Sequence, residues 1–140
     1  MKSPTYIIPG APIPQPRARI LRNGFSYDPV AQDKECAREE LIEQRDANYQ
    51  KIITHPVALD ITFFMPIPKS LSKKKQDLLL DQYHTIRPDL DNLIKFTLDT
   101  FSKSILILDD SLIYSINSKK IYSFRPKTEF FFIYGESENE

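Results

Sequence analysis

Eleven prolines in 140 residues decide where this chain can be regular. Proline fixes φ and lacks a backbone N–H, so it is kept out of helix interiors and central strands. The run Pro9-Gly10-Ala11-Pro12-Ile13-Pro14-Gln15-Pro16 therefore forms neither. It travels extended over the surface and delivers Arg17 and Arg19 to a fixed place. The later prolines mark boundaries. Asp28-Pro29 opens a helix, with Asp28 as cap and Pro29 in the first turn. Pro56 starts a strand that Pro66 and Pro68 close. Pro88 forces Arg87 into an extended backbone ahead of the next element.

Between these breaks the periodicities are legible. Residues 5–9 are short and β-branched, a first strand. Asn23-Gly24 has the chemistry of a tight hairpin turn, pairing residues 17–22 with 25–27. The helix opened by Asp28 runs to about Lys51 on a narrow stripe of Val30, Ala37, Leu41 and Ile42. Along residues 56–65, Val57, Leu59, Ile61 and Phe63 alternate with Ala58, Asp60, Thr62 and Phe64, a strand. Ser70 or Ser72 caps a short helix reaching about Tyr83. Lys73, Lys74 and Lys75 occupy its first turns, the unfavourable end of the dipole for lysine. They are either solvated decoration or serve something other than helix stability.

Asp89 then caps a helix over residues 90–101. Leu90, Leu93, Ile94, Thr97, Leu98 and Phe101 share its apolar side, while Asp91, Lys95 and Asp99 recur at four-residue spacing on the other. Residues 112–124 and 128–134 read as an antiparallel pair of strands joined around Arg125-Pro126-Lys127. No linker or repeat divides the chain, so one α+β domain over residues 1–140 is expected, with residues 135–140 a frayed acidic tail.

Composition excludes some classes. With 41% hydrophobic and 11% aromatic residues, the chain has the material for a core rather than for disorder. Its net charge of zero gives no polyanionic partner by itself, although the basic residues cluster and can form a basic face. Cys36 is the one cysteine, which rules out an intrachain disulfide or a cysteine zinc cluster. The first residues lack the long apolar run of a signal peptide, and no segment approaches membrane-spanning length. A soluble, cytoplasmic protein of a reducing compartment is expected. His55 and His84 form no metal pattern, and the three glycines make no phosphate loop. His84, close before Arg87, reads as a plain loop histidine or a contact to phosphate or water.

The acidic residues carry the chemistry. Asp89 and Asp91 bracket Leu90 at a helix start, where their carboxylates can converge on one point. Carboxylates held close repel, and a hard cation such as Mg²⁺ or Mn²⁺ relieves that repulsion while binding substrate phosphates. Asp109-Asp110 follows after a short connection. Adjacent residues in extended chain point apart, so one of the two is expected to join the site. Lys95 lies one turn beyond Asp91 and can neutralise the cluster, orient a water or stabilise a phosphorane-like charge. The competing reading is a surface ladder Asp91–Lys95–Asp99 beside an ordinary aspartate cap.

The stretch Arg87 to Phe101 (RPDLDNLIKFTLDTF) with Leu108 to Ile113 (LDDSLI) resembles the signature of RusA-type Holliday junction resolvases of bacteria and their phages. Pro9 to Pro14 with Arg17 and Arg19, and Gly24 to Pro29, are similar to the opening segment and hairpin of phage members. The resemblance implies a single α+β domain, a small mixed β-sheet packed against helices. It also implies a homodimeric endonuclease that cuts four-way DNA junctions symmetrically with Mg²⁺, for which Mn²⁺ can substitute. Carried over by position, Asp89, Asp91 and Asp110 would be catalytic metal ligands, with Asp109 a possible one, and Lys95 the essential lysine. Arg17 and Arg19 would contact DNA, and Lys73, Lys74 and Lys75 would be a variable DNA contact in what looks like an insertion. One departure is the turn Ser102-Lys103-Ser104-Ile105, which lacks the glycine frequent there and is expected to use ordinary backbone angles. The alternatives are a nuclease for other branched DNA, or a non-catalytic DNA-binding module with a structural metal site.

Overall fold

The computed structural model describes residues 1–135; most of the acidic tail, residues 136–140, lies outside them. The described chain follows the order β1 (Tyr6–Pro9), β2 (Arg19–Ile20), β3 (Ser26–Tyr27), α1 (Ala31–Ala47), β4 (Val57–Pro66), α2 (Lys73–Leu79), α3 (Leu90–Phe101), β5 (Ile113–Ser123) and β6 (Lys127–Tyr134). A 3-10 turn, Asp110–Leu112, leads into β5. The expected α+β domain is therefore what forms.

β4 organises the sheet. Val57, Leu59, Ile61, Phe63 and Met65 are each at most 2% exposed, so its alternation buries one whole face. β5 pairs with it in parallel and β6 antiparallel, giving a mixed sheet in the order β1-β6-β4-β5. This corrects the expected β5–β6 hairpin: the two strands run antiparallel, but β4 lies between them. Phe124-Arg125-Pro126 can make the connection because about 10 Å of extended chain matches two interstrand spacings of about 4.8 Å. β4 ends where they cross, with Pro66 opposite Ser123. The insertion gives the most apolar strand a partner on both edges.

α3 docks on this sheet through Leu93 and Phe101, both fully buried. The Phe101 ring lies 5.1 Å from Phe130 and 5.3 Å from Phe132. α1 packs beside α3 and closes the edge of β1. The Ile7 N–H donates to Gln44 Oε1 at 2.9 Å, and Gln44 Nε2 donates to the Ile7 carbonyl at 2.7 Å. A side-chain amide thus completes a ladder that an edge strand would leave open.

Local chemistry moves several expected boundaries. Asp28 does not stand at the N-cap; its Oδ1 accepts from the Val30 N–H at 3.1 Å, an Asx-type turn, and α1 begins three residues after it. The buried face of α1 is Lys34, Ala37 and Leu41, so a lysine joins Ala37 and Leu41 of the expected stripe. α1 also ends at Ala47, short of Lys51. The hairpin ladder is only Arg19 opposite Tyr27 and Ile20 opposite Ser26, turned by Gly24 at φ +87°. α2 starts after Ser72, whose side chain accepts from the Lys75 N–H, and stops at Leu79. Residues 81–84 leave the helix to pair with the outer edge of β5: the Asp81 N–H donates to the Tyr122 carbonyl, and the His84 N–H to that of Lys120. The turn after α3 has left-handed backbone at Lys103 (φ 57°) and Ser104 (φ 69°), against the ordinary angles expected. Two side-chain-bearing residues accept strain of order 1 kcal/mol each to make the turn.

Candidate active site

The first acidic pair sits at the N-terminus of α3. Asp89 occupies the N-cap with extended backbone, yet makes no side-chain capping bond. An aspartate there ordinarily gives a carboxylate oxygen to the helix N–H groups; here that capacity is unspent. Asp91 lies in the first turn, and its Oδ1 accepts from the Asn92 N–H at 2.9 Å. Both are exposed, as is Lys95. The positive end of the helix dipole supports two carboxylates at this position.

The second acidic motif is elsewhere. β4, α3 and β5 form a parallel crossover, so α3 runs back against the strands. Its N-terminus meets the C-terminal half of β5, where Lys120 donates to the Pro88 carbonyl. Asp109 and Asp110 immediately precede β5, at the other end of this 12-residue helix, whose length is about 18 Å. Sequence spacing brought the two motifs together because it gave only the length of the connection, not its direction. Asp109 caps the 3-10 turn. Its carboxyl lies below the usual range because of hydrogen bonding from Ser111, first by the side chain and then by the backbone N–H, 3.1 Å from Oδ2. Asp110 is exposed.

Aspartate oxygens are the donors that Mg²⁺ and Mn²⁺ prefer, so the donor chemistry fits a hard cation. Yet among the described residues no group of three or more His, Cys, Asp or Glu side chains is placed to hold a metal ion. One copy of the chain offers the Asp89–Asp91 pair at one end of α3 and the Asp109–Asp110 pair at the other.

The proline-rich run lies at the Asp89 end. The Gln15 N–H donates to the Asn92 carbonyl at 2.9 Å, laying the proline-rich run against the start of α3. Pro14, Gln15, Pro16, Arg87, Pro88, Asp89 and Asn92 line an open groove of about 410 Å³ between them. Arg17 and Arg19 leave this run exposed. Lys73 pairs with Asp77 at 3.2 Å and lies over the Phe124 ring at 5.0 Å, so part of its charge serves the fold; Lys74 and Lys75 are exposed.

The ladder Asp91–Lys95–Asp99 does not form, because Asp99 turns to Lys34 of α1 at 3.1 Å. Sequence reading missed two lysines. Lys34 is buried and bridges Asp28, at 2.6 Å, to Asp99; this hydrogen bond is the main cause that holds the Asp28 carboxyl below its ordinary value. Lys120 donates from β5 to the Ile86 and Pro88 carbonyls at 2.8 and 2.7 Å. Its odd place in a strand of mixed pattern gave no signal. His84 is not a plain loop histidine but buried, packed 4.8 Å from the Tyr122 ring.

The family described as "Endodeoxyribonuclease RusA" matches residues 9–131, from the proline-rich run into β6. The chain belongs to this RusA endodeoxyribonuclease family. It is also 32% identical over 133 residues to a Bacillus subtilis (strain 168) protein described as "Uncharacterized protein YqaN", covering 89% of this chain and 91% of that one. Among the described residues no helix is long and apolar enough to cross a membrane.

Proposed function

We propose that this protein is a Mg²⁺-dependent crossover junction endodeoxyribonuclease. It resolves four-way DNA junctions by paired symmetric nicks, acts as a homodimer, and works in the cytoplasm of a bacterial or phage-infected cell; Mn²⁺ substitutes for Mg²⁺. The observation that carries this reading is the family match across residues 9–131, which takes in both acidic motifs and the arginine-bearing run.

Asp89, Asp91 and Asp110 are the proposed ligands, with Asp109 held back by its capping duty. A bound divalent ion would polarise the scissile phosphate and lower the pKa of a water. Because α3 separates Asp110 from Asp89 and Asp91, a site built from all three would need two copies of the chain. That supports a homodimer, and a two-fold pair of sites suits a two-fold junction. Lys95, one turn beyond Asp91, stabilises charge that develops on the phosphate. Arg17 and Arg19, with Lys74, Lys75 and the partly engaged Lys73, contact phosphates without reading sequence.

The test is cleavage of four-way, forked and linear DNA with and without Mg²⁺, alongside Asp91→Asn. Junction cleavage that needs Mg²⁺ and disappears in Asp91→Asn, while junction binding persists, is the expected result. Equal rates on linear duplex would remove junction selectivity. Tight binding with no cleavage under Mg²⁺ or Mn²⁺ would make the protein a binding module.

A further inference from the structure

We propose that Lys120 is a positioning residue for the acidic pair at the start of α3, acting through the loop that delivers Asp89. This rests on reading Asp89 and Asp91 as part of the reaction centre.

Asp89 and Asp91 need a fixed direction, but Asp89 lacks the usual local tether. Its side chain makes no capping bond, and like charge on Asp91 pushes the two apart. What holds the chain just ahead of them comes from β5. Lys120 Nζ donates to the Ile86 carbonyl at 2.8 Å and to the Pro88 carbonyl at 2.7 Å. The Pro88 carbonyl belongs to the peptide that enters Asp89. The Lys120 backbone carbonyl also accepts the His84 N–H at 2.9 Å. One residue therefore fixes both ends of the approach to α3, and it stands on a strand paired along its length with the core strand β4, opposite Phe63.

Lys120 is not arranged as a phosphate contact. An ammonium has three N–H donors, and two of these are committed to protein carbonyls. Its side chain is half-buried, whereas Arg17, Arg19, Lys74 and Lys75 are exposed. The charge-assisted bonds are short, as ionised donors make them. Removing them frees the loop to move by an amount that matters to chemistry, since a misplacement of about 1 Å can cost on the order of 100-fold in rate.

The experiment compares wild type, Lys120→Met and Lys120→Arg on four-way junctions at saturating DNA with Mg²⁺, with junction affinity, thermal unfolding and amide hydrogen exchange measured in parallel. In Lys120→Met the single-turnover rate is expected to fall about 10- to 100-fold while junction affinity stays within about 2-fold, since no phosphate contact is lost. Exchange is expected to quicken in residues 86–92 and not in β4, and Lys120→Arg to recover much of the rate by supplying the charged donors again. A wild-type rate in Lys120→Met overturns the proposal. So does a loss of affinity that accounts for the loss of rate, or faster exchange spread over the whole sheet. Should Lys120→Met not fold, Lys120→Gln, which keeps one donor group, is judged by the same criteria. Wild-type cleavage that Asp91→Asn abolishes secures the underlying reading separately. If Asp91→Asn cleaves normally, that reading fails and the positioning role falls with it.

Discussion

The two ends of α3 carry the same residue types in opposite settings. At the C-terminal end Asp99 and Asp28 close on Lys34, whose side chain is 9% exposed, at 3.1 and 2.6 Å. At the N-terminal end Asp89, Asp91 and Lys95 stand exposed, and Asp89 leaves its capping bond unmade. An aspartate near a helix C-terminus opposes the dipole, so Asp99 needs a cation, and the cation is bought from α1. The pair at the N-terminus has the dipole's support, and Asp91 adds a bond from the adjacent Asn92 N–H. Asp28 and Asp99 spend their charge on Lys34, whereas the Asp89 carboxylate makes no capping bond.

If that contrast is right, Asp89→Asn separates function from stability most sharply. Cleavage is expected to fall by roughly 100-fold or more, the scale of losing a group that stabilises developing charge. Thermal stability should stay within about 0.5 kcal/mol, since no capping bond is lost and repulsion with Asp91 is relieved. A matching loss of stability and activity would mean that Asp89 is only a structural cap.

Lys34→Met is the reverse experiment. It leaves Asp28 and Asp99 facing each other without a cation, but their side chains are 30% and 41% exposed, so water takes up part of the loss. A cost of about 2–3 kcal/mol in denaturant unfolding is expected, below that of a fully buried pair. Activity per folded molecule should hold. The acid limb supplies a second readout. The Asp28 carboxyl lies below its ordinary 3.8, so its stabilisation is present above that value and lost as pH falls through the lower folded pKa. Lys34→Met should flatten this limb.

Arg17→Ala with Arg19→Ala tests whether the basic face belongs to the unsatisfied end. Junction affinity should weaken equally across sequences, and the slope of log affinity against log salt should become shallower by about 2. An unchanged slope would place the phosphate contacts elsewhere.

How much of this was legible from residues alone follows from which signals are local. The alternation of β4 and the apolar side of α3 are local patterns, and both elements form as read. The acid pair and its neighbouring lysine were visible for the same reason. The order of β5, β4 and β6 was not, because a three-residue turn is compatible with a hairpin or with a strand slipped between. Nor was the separation of Asp110 from Asp89, which depends on the direction of a parallel crossover. Lys34 and Lys120 were hidden because lysine on a helix or strand is ordinarily solvated, and only tertiary partners show otherwise. The missing glycine after α3 misled in a smaller way: Ser104 sits at φ 69°, so Ser104→Gly should stabilise the fold by about 0.5–1 kcal/mol by removing left-handed strain.

The smallest effect expected concerns His84, whose N–H donates to the Lys120 carbonyl. It is 7% exposed, its Nδ1 has no hydrogen-bond partner, and its ring packs on Tyr122. Burial first, and then the Lys120 charge, push its pKa below the ordinary 6.5. The unfolded chain thus binds a proton more readily than the folded one, and stability rises with pH across this range. The neutral ring's contribution is complete above about 6.5 and is lost as pH falls through the lower folded pKa. His84→Phe keeps an aromatic ring against Tyr122 but cannot titrate. Its unfolding free energy should therefore change less than that of wild type between pH 7 and pH 5, measured in the same denaturant series. Parallel curves would mean that water reaches the imidazole, and that the segment pairing residues 81–84 with β5 opens more readily than its hydrogen bonds suggest.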